Sequence, residues 1–261
     1  DADAETRQRI LDEALIIGQL EHPHIVPIHE VGRDENGDPV ILMKKIEGVS
    51  WANILKDPSQ APENPDKVDL DWHLDVLQKV CDAVRFSHSK RIVHCDIKPA
   101  NVMIGAFGQV FLVDWGVAVY IGDKPEVRLP RIGDRGSVGT PGYAAPEMIS
   151  GALSHDERTD VYMLGAVLHE VLTGKPRHEG KTVSETLDRA KESTPFDYRG
   201  VPEELGNIAN KATARDQRER FQSVDEFWNA VEAFLDHRGS LEMAEVAKGR
   251  LEGLERAIRS D

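Results

Sequence analysis

The apolar positions of this chain fall into two regimes. A front part alternates one helical stripe with short strand-like runs, and a back part reads helical throughout. Over residues 3–20, Ile10, Leu11, Ala14, Leu15, Ile17 and Leu20 recur at helical spacing, which predicts one broad buried face on an amphipathic helix. Pro23 closes that region, and HPHIVPIHEVG leads into a strand from about Val26 to Val31. DENGDP, residues 34–39, predicts a hairpin turn with Val40–Ile46 as the returning strand, broken by Glu47-Gly48. A loop rich in Pro, Asp and Asn covers 57–69. Beyond it Trp72, Leu74, Val76, Leu77, Val80, Val84 and Phe86 predict a long buried helix from Asp71 to about Lys90. A short strand at Ile92–His94 follows, then two apolar runs, Val102–Ile104 and Val110–Val113, around a turn at Gly105–Gly108.

After Gly116 the pattern dissolves. Gly122, Pro125, Pro130, Gly133, Gly136, Gly139 and Pro141 exclude a regular element and predict a long irregular loop ending in GTPGYAAPE, residues 139–147. Val161–Leu172 is almost wholly apolar and reads as a core helix, stopped by Gly174 and Pro176. Helices are also predicted at Val183–Lys191, Glu203–Ala214 and Val224–Leu235, with a last amphipathic segment at Leu241–Ile258. Strands in front and helices behind predict an α+β fold, with a small β-bearing lobe and a large helical one.

Composition narrows the class without naming it. The formal charge of −14 argues against a protein whose main work is gripping a nucleic-acid backbone. No apolar run approaches the ~20 residues of a membrane helix, and no secretory signal opens the chain. Cys81 and Cys95 form no CxxC pair, so a reducing, cytoplasmic setting is expected. His22, His24 and His29 lie close in sequence. With prolines interleaved and no carboxylate or cysteine at ligand spacing, they read as a turn and strand rather than a metal site.

The chemistry concentrates in IVHCDIKPANVMIGAFGQVFLVDWG, residues 92–116. Asp96 precedes the first apolar run and Asp114 follows the second, while Lys98 and Asn101 stand two and five residues after Asp96. An acid to orient a hydroxyl, a lysine for phosphate charge, and an Asn plus a second Asp for a hard metal form a phosphoryl-transfer set.

These motifs resemble the eukaryotic-type serine/threonine protein kinases, particularly their bacterial branch. HCDIKPAN is similar to the family's catalytic loop, DWG to its DFG, and Ala145-Pro146-Glu147 to its APE. DWG eighteen residues after Asp96, then GTPGYAAPE, then TDVYMLG make chance agreement negligible. The resemblance implies a bilobal kinase fold, with a partial N-lobe over 1–48, a C-lobe over 49–236 and a helical extension over 237–261. It implies ATP and Mg²⁺, Asp96 as base, Lys98 as charge carrier, Asn101 and Asp114 as metal ligands, and Thr140 bridging Asp96 and Lys98. It further implies Glu13 as the regulatory-helix glutamate, which on pattern alone reads as a solvated helix residue. Met43 would be the gatekeeper, Lys44 to Ile46 the adenine hinge, and Met103 the floor under the base. Asp160 would tether the catalytic-loop backbone, Arg220 would pair with Glu147, and His94 would be a packed core histidine without chemistry.

Three departures from the family pattern change the expectation. Cys95 stands where an arginine usually meets an activation-segment phosphate, so weak dependence on such phosphorylation is expected, and the thiol reads as buried and inert rather than redox-active. Trp115 replaces Phe and is expected to fill the same apolar slot between His94 and the helix around Ile17. No glycine-rich phosphate loop and no VAIK-type lysine occur in the sequence, which is consistent with part of a longer chain or a shortened pseudokinase. The expected function is phosphorylation of protein Ser/Thr hydroxyls. A non-enzymatic kinase-like binding module and a small-molecule phosphotransferase are the alternatives. Ser137 and Thr140 are the candidate modified residues, Ser137 the better because Thr140 is committed to the catalytic loop.

Overall fold

Helix α1 (Ala2–Ile17) begins the chain and turns Ala14, Ile16 and Ile17 into the core. It ends three residues before the expected Leu20, which a turn still carries inward. The computed structural model describes residues 2–123, 128–131, 139–150, 155–240 and 243. The expected segment Leu241–Ile258 and the candidate Ser137 lie outside them, Met243 apart.

β1 (Ile28–Arg33) and β2 (Pro39–Met43) form an antiparallel hairpin. Asp34 closes its turn by accepting the N–H groups of Asn36 and Asp38 at 2.9 and 2.8 Å, a side chain imitating a backbone turn. Two boundaries shift from the expectation: the first strand starts at Ile28, because Pro27 precedes it, and the second stops at Met43. Lys44 to Ile46 are therefore irregular connection, not strand. Gly48 does not merely break the pattern, as expected, but opens β3 (Gly48–Ser50). Ser50 then caps α2 (Trp51–Lys56), a helix too short to show periodicity, whose Trp51 and Ile54 are fully buried.

α3 (Leu70–Ser89) starts where Asp69 accepts the N–H of Trp72 at 2.9 Å. It delivers the chain into β4 (Ile92–Val93) and then β5 (Val102–Gly105) and β6 (Val110–Leu112), which join β3 in the order β3-β5-β6. β4 pairs instead with β7 (Val119–Tyr120), a two-residue strand with no signature of its own. The HPHI turn docks the front of the chain onto this sheet. His24 accepts from Leu112 N through its carbonyl at 2.8 Å, and its Nδ1 lies 2.9 Å from Val110 O. His22 stacks on Phe86 at 5.3 Å and His29 is exposed on β1, so His22 and His24 lie in the expected turn and His29 on the expected strand.

The short helix α4 (Pro146–Ile149) precedes α5 (Glu157–Thr173), the axis of the helical region, buried without interruption from Thr159 to Glu170. A reciprocal cap between Asp156 and Thr159 starts it. A Cβ at Gly165 would lie 2.4 Å from Ala212 Cβ, so glycine is what lets α7 (Glu203–Ala212) lie against α5. α6 (Val183–Glu192) and the last helix, α8 (224–240), complete the helical part. Among the described residues no helix is long and apolar enough to cross a membrane.

Candidate active site

The loop 94–101 is shaped from beneath. Asp160, fully buried on α5, accepts the N–H of His94 at 2.8 Å and of Cys95 at 2.9 Å, and its Oδ2 lies 2.8 Å from His88 Nε2. Cys95 needs that grip because it is held at φ 65, a region costly for a residue with a side chain. Burial disfavours the Asp160 charge, but the His88 hydrogen bond and charge, with the two loop N–H groups, outweigh it and hold the pKa below the ordinary value. His88 is a partner the sequence did not disclose, since a single histidine on a helix face carries no signal of what it meets.

His94 is fully buried, and its Nδ1 accepts from Asp96 N at 3.2 Å while Nε2 faces Val113 O at 3.3 Å. Desolvation pushes its pKa down, so the ring is neutral and both nitrogens are engaged. It is the packed histidine that was expected. The Trp115 ring lies 4.5 Å from it, 1% exposed, which bears out the His94 side of the slot expected for it.

The chain then bends through a 3-10 turn, Pro99–Asn101, whose proline stands where a helical N–H would be idle. The bend returns Asn101 to Asp96. Asn101 Nδ2 donates to the Asp96 carbonyl at 2.9 Å and to its Oδ2 at 3.0 Å. Lys98 Nζ lies 2.6 Å from the same Oδ2 and 2.6 Å from Thr140 Oγ1. Thr140 completes the ring from the distant GTPGYAAPE segment, giving its N–H and hydroxyl to Asp96 Oδ1 at 3.0 and 2.8 Å. One carboxylate is thus fixed by three residues through both oxygens. The same segment is anchored at its far end, where Arg220 meets Glu147 through two 2.8 Å bonds with both groups buried.

Asp114 is exposed and sits at φ 63, a left-handed conformation that aspartate tolerates better than most residues. A Cβ built on Gly116 would lie 3.2 Å from Asp114 Oδ1 and 3.6 Å from Glu13 Oε2, so both carboxylates flank the DWG turn and glycine eases the approach of Asp114. Glu13, half-buried on α1, thus faces the site rather than solvent. Of the residues expected around a base, Met103 is half-buried on β5, opposite Ser50 and Phe111. Met43 is 39% exposed at the end of β2, and Ile46 is half-buried in the connection after it. Lys44 gives its N–H to Pro27 O at 3.2 Å and lays its Nζ 4.8 Å over the Phe111 ring.

A family model described as a protein kinase domain matches residues 1–231, and the chain belongs to that family. It is similar to the serine/threonine-protein kinase PknD of Chlamydia muridarum, 35% identical over 256 residues, covering 88% of this chain and 27% of that protein. PknD of Chlamydia trachomatis serovar D is 34% identical over 257 residues, with the same coverage of 88% and 27%. PknD of Protochlamydia amoebophila is 32% identical over 257 residues, covering 89% and 26%. The chain spans about a quarter of the length of these relatives.

Proposed function

We propose that this domain transfers the γ-phosphoryl group of ATP to Ser or Thr hydroxyls of proteins, in the cytoplasm of a bacterium. The observation that carries the reading is the single orientation imposed on the Asp96 carboxylate by Lys98, Asn101 and Thr140. In that orientation Asp96 accepts the hydrogen bond of an incoming hydroxyl and takes its proton as the oxygen bonds to phosphorus. Lys98 spreads positive charge over the moving phosphoryl, while the leaving oxygen stays on the nucleotide diphosphate. Thr140 aligns both groups from the segment on which a protein substrate would rest.

The donor set suits a hard cation. Asn101 spends its amide nitrogen on Asp96, leaving its oxygen as acceptor, and Asp114 presents an exposed carboxylate beside Glu13. Asn101 and Asp114 are the residues that would hold Mg²⁺, which when bound neutralises charge on the nucleotide phosphates. Lys44 to Ile46, free of regular strand pairing, would meet the adenine edge through their backbone, with Met43 behind and Met103 beneath.

The test is calorimetric titration of Mg-ATP together with phosphate transfer to a generic protein substrate, on this chain and on one extended at its N-terminus. Asp114→Ala is expected to weaken nucleotide binding, and Asp96→Asn to abolish turnover with binding kept. An extended chain that neither binds Mg-ATP nor phosphorylates any substrate would overturn the reading.

A further inference from the structure

A cavity of about 490 Å³ lies between the end of α5, the loop that follows it, α6 and the segment 193–196. That is the size of sites that enclose small molecules, and none of the residues around Asp96 lines it.

Its chemistry is set by Arg177, a residue only 9% exposed. Arg177 Nε donates to Thr213 Oγ1 at 3.3 Å and one Nη to Thr194 O at 2.6 Å. The other Nη meets no protein acceptor, and among the described residues no carboxylate stands within ion-pair distance. Arg220, the other buried guanidinium, shows the contrast, because Glu147 neutralises it through two bonds of 2.8 Å. The spare Nη opens on the cavity, and an anion entering there would supply the counter-ion that the protein does not.

The neighbouring imidazoles bring no charge of either sign, and the exposed side chains that also line the cavity, Lys175 and Arg189 against Glu179 and Glu192, carry two charges of each sign, so the buried Arg177 decides the balance. Burial, with the Arg177 charge second, pushes His169 and His178 both down to about 3. His169 and Phe196 meet edge to face at 4.7 Å and give the cavity an apolar wall, with Phe196 still 42% exposed.

We propose that this cavity binds a small anion, a carboxylate or phosphoryl group on a compact, partly apolar body, with Arg177 as counter-ion and Phe196 as the apolar wall. The guanidinium offers its spare Nη for a charge-assisted bond.

The experiment is amide NMR titration of the labelled full chain with inorganic phosphate, phenyl phosphate, benzoate and neutral benzyl alcohol. Saturable shifts at the amides of Lys175, Arg177, His178, Thr194 and Phe196 are expected with phenyl phosphate or benzoate, weaker ones with inorganic phosphate, and none with benzyl alcohol. Which of the two aromatic anions binds tighter identifies the phosphoryl or carboxylate source. Arg177→Gln is expected to weaken binding about ten- to a hundredfold, the loss of one charge-assisted bond, and Arg177→Lys less. The proposal is overturned if no anion shifts these amides at millimolar concentration, if shifts are confined to the surroundings of Met103 and Asp114, or if Arg177→Gln binds as the parent does. Should Arg177→Gln not fold, the map on the parent chain and the effect of Phe196→Ala decide.

Discussion

Thr140 Oγ1 and Asp96 Oδ1 stand 2.8 Å apart across 44 residues of chain, and Lys98 Nζ touches the same hydroxyl at 2.6 Å. The hydroxyl is the only side-chain group from outside residues 94–101 bonded to this carboxylate among the described residues. Thr140→Val keeps the shape and the backbone N–H but removes the bridge. Turnover is expected to fall about 10²-fold, the scale of losing alignment of a reacting group. Thr140→Ser should recover most of it. Steady-state phosphate transfer on the extended chain checks this, and an unchanged rate in Thr140→Val would remove the bridge from the mechanism.

Asp160→Asn retains the shape of the buried carboxylate and removes its charge. Only one oxygen then remains to receive two loop N–H groups and His88, while Cys95 still sits at φ 65. We expect a loss of about 3 kcal/mol in urea unfolding, as for breaking a buried charged network. Activity should fall as well, because the loop carrying Asp96 loses its support.

Arg220 and Glu147 invite a double-mutant cycle. Either single change, Arg220→Met or Glu147→Met, strands a buried charge and should cost about 3–5 kcal/mol. The pair changed together should be milder than the sum of the two, because no uncompensated charge remains. Additive losses in chemical denaturation would show that the groups do not act as a pair.

Acid sensitivity follows from His169 and His178, whose folded pKa values are pushed down to about 3 from an ordinary 6.5. Their folded forms stay neutral while the unfolded chain takes up protons below about pH 6.5, so stability falls as pH drops from there toward 3. Each group contributes a slope of up to about 1.4 kcal/mol per pH unit. Urea midpoints at pH 7, 6 and 5 should decline, and His169→Phe should flatten the decline. Asp160 and Glu147, both held below their ordinary values, add a loss only under more acidic conditions, below about pH 4.

Much of this molecule is written locally. The stripe from Ile10 to Leu20, the apolar run Val161–Leu172 and the turn at Asp34–Asp38 follow from spacing and side-chain chemistry, because helix period, burial and turn geometry act over a few residues. Asp96, Lys98, Asn101 and Asp114 could likewise be singled out as candidates, since phosphoryl transfer restricts which groups can serve and how closely they follow one another. Short elements such as β3, α2 and β7 were not, because three to six residues hold no full period and form only against partners already in place. Nor could spacing disclose that His88 would meet Asp160 or that Arg177 would be buried without an ion-pair partner, and only the family resemblance, not spacing, pointed to Thr140 closing on Asp96. Those relationships join segments dozens of residues apart, and their energies depend on burial, which is set only when the helices pack around α5.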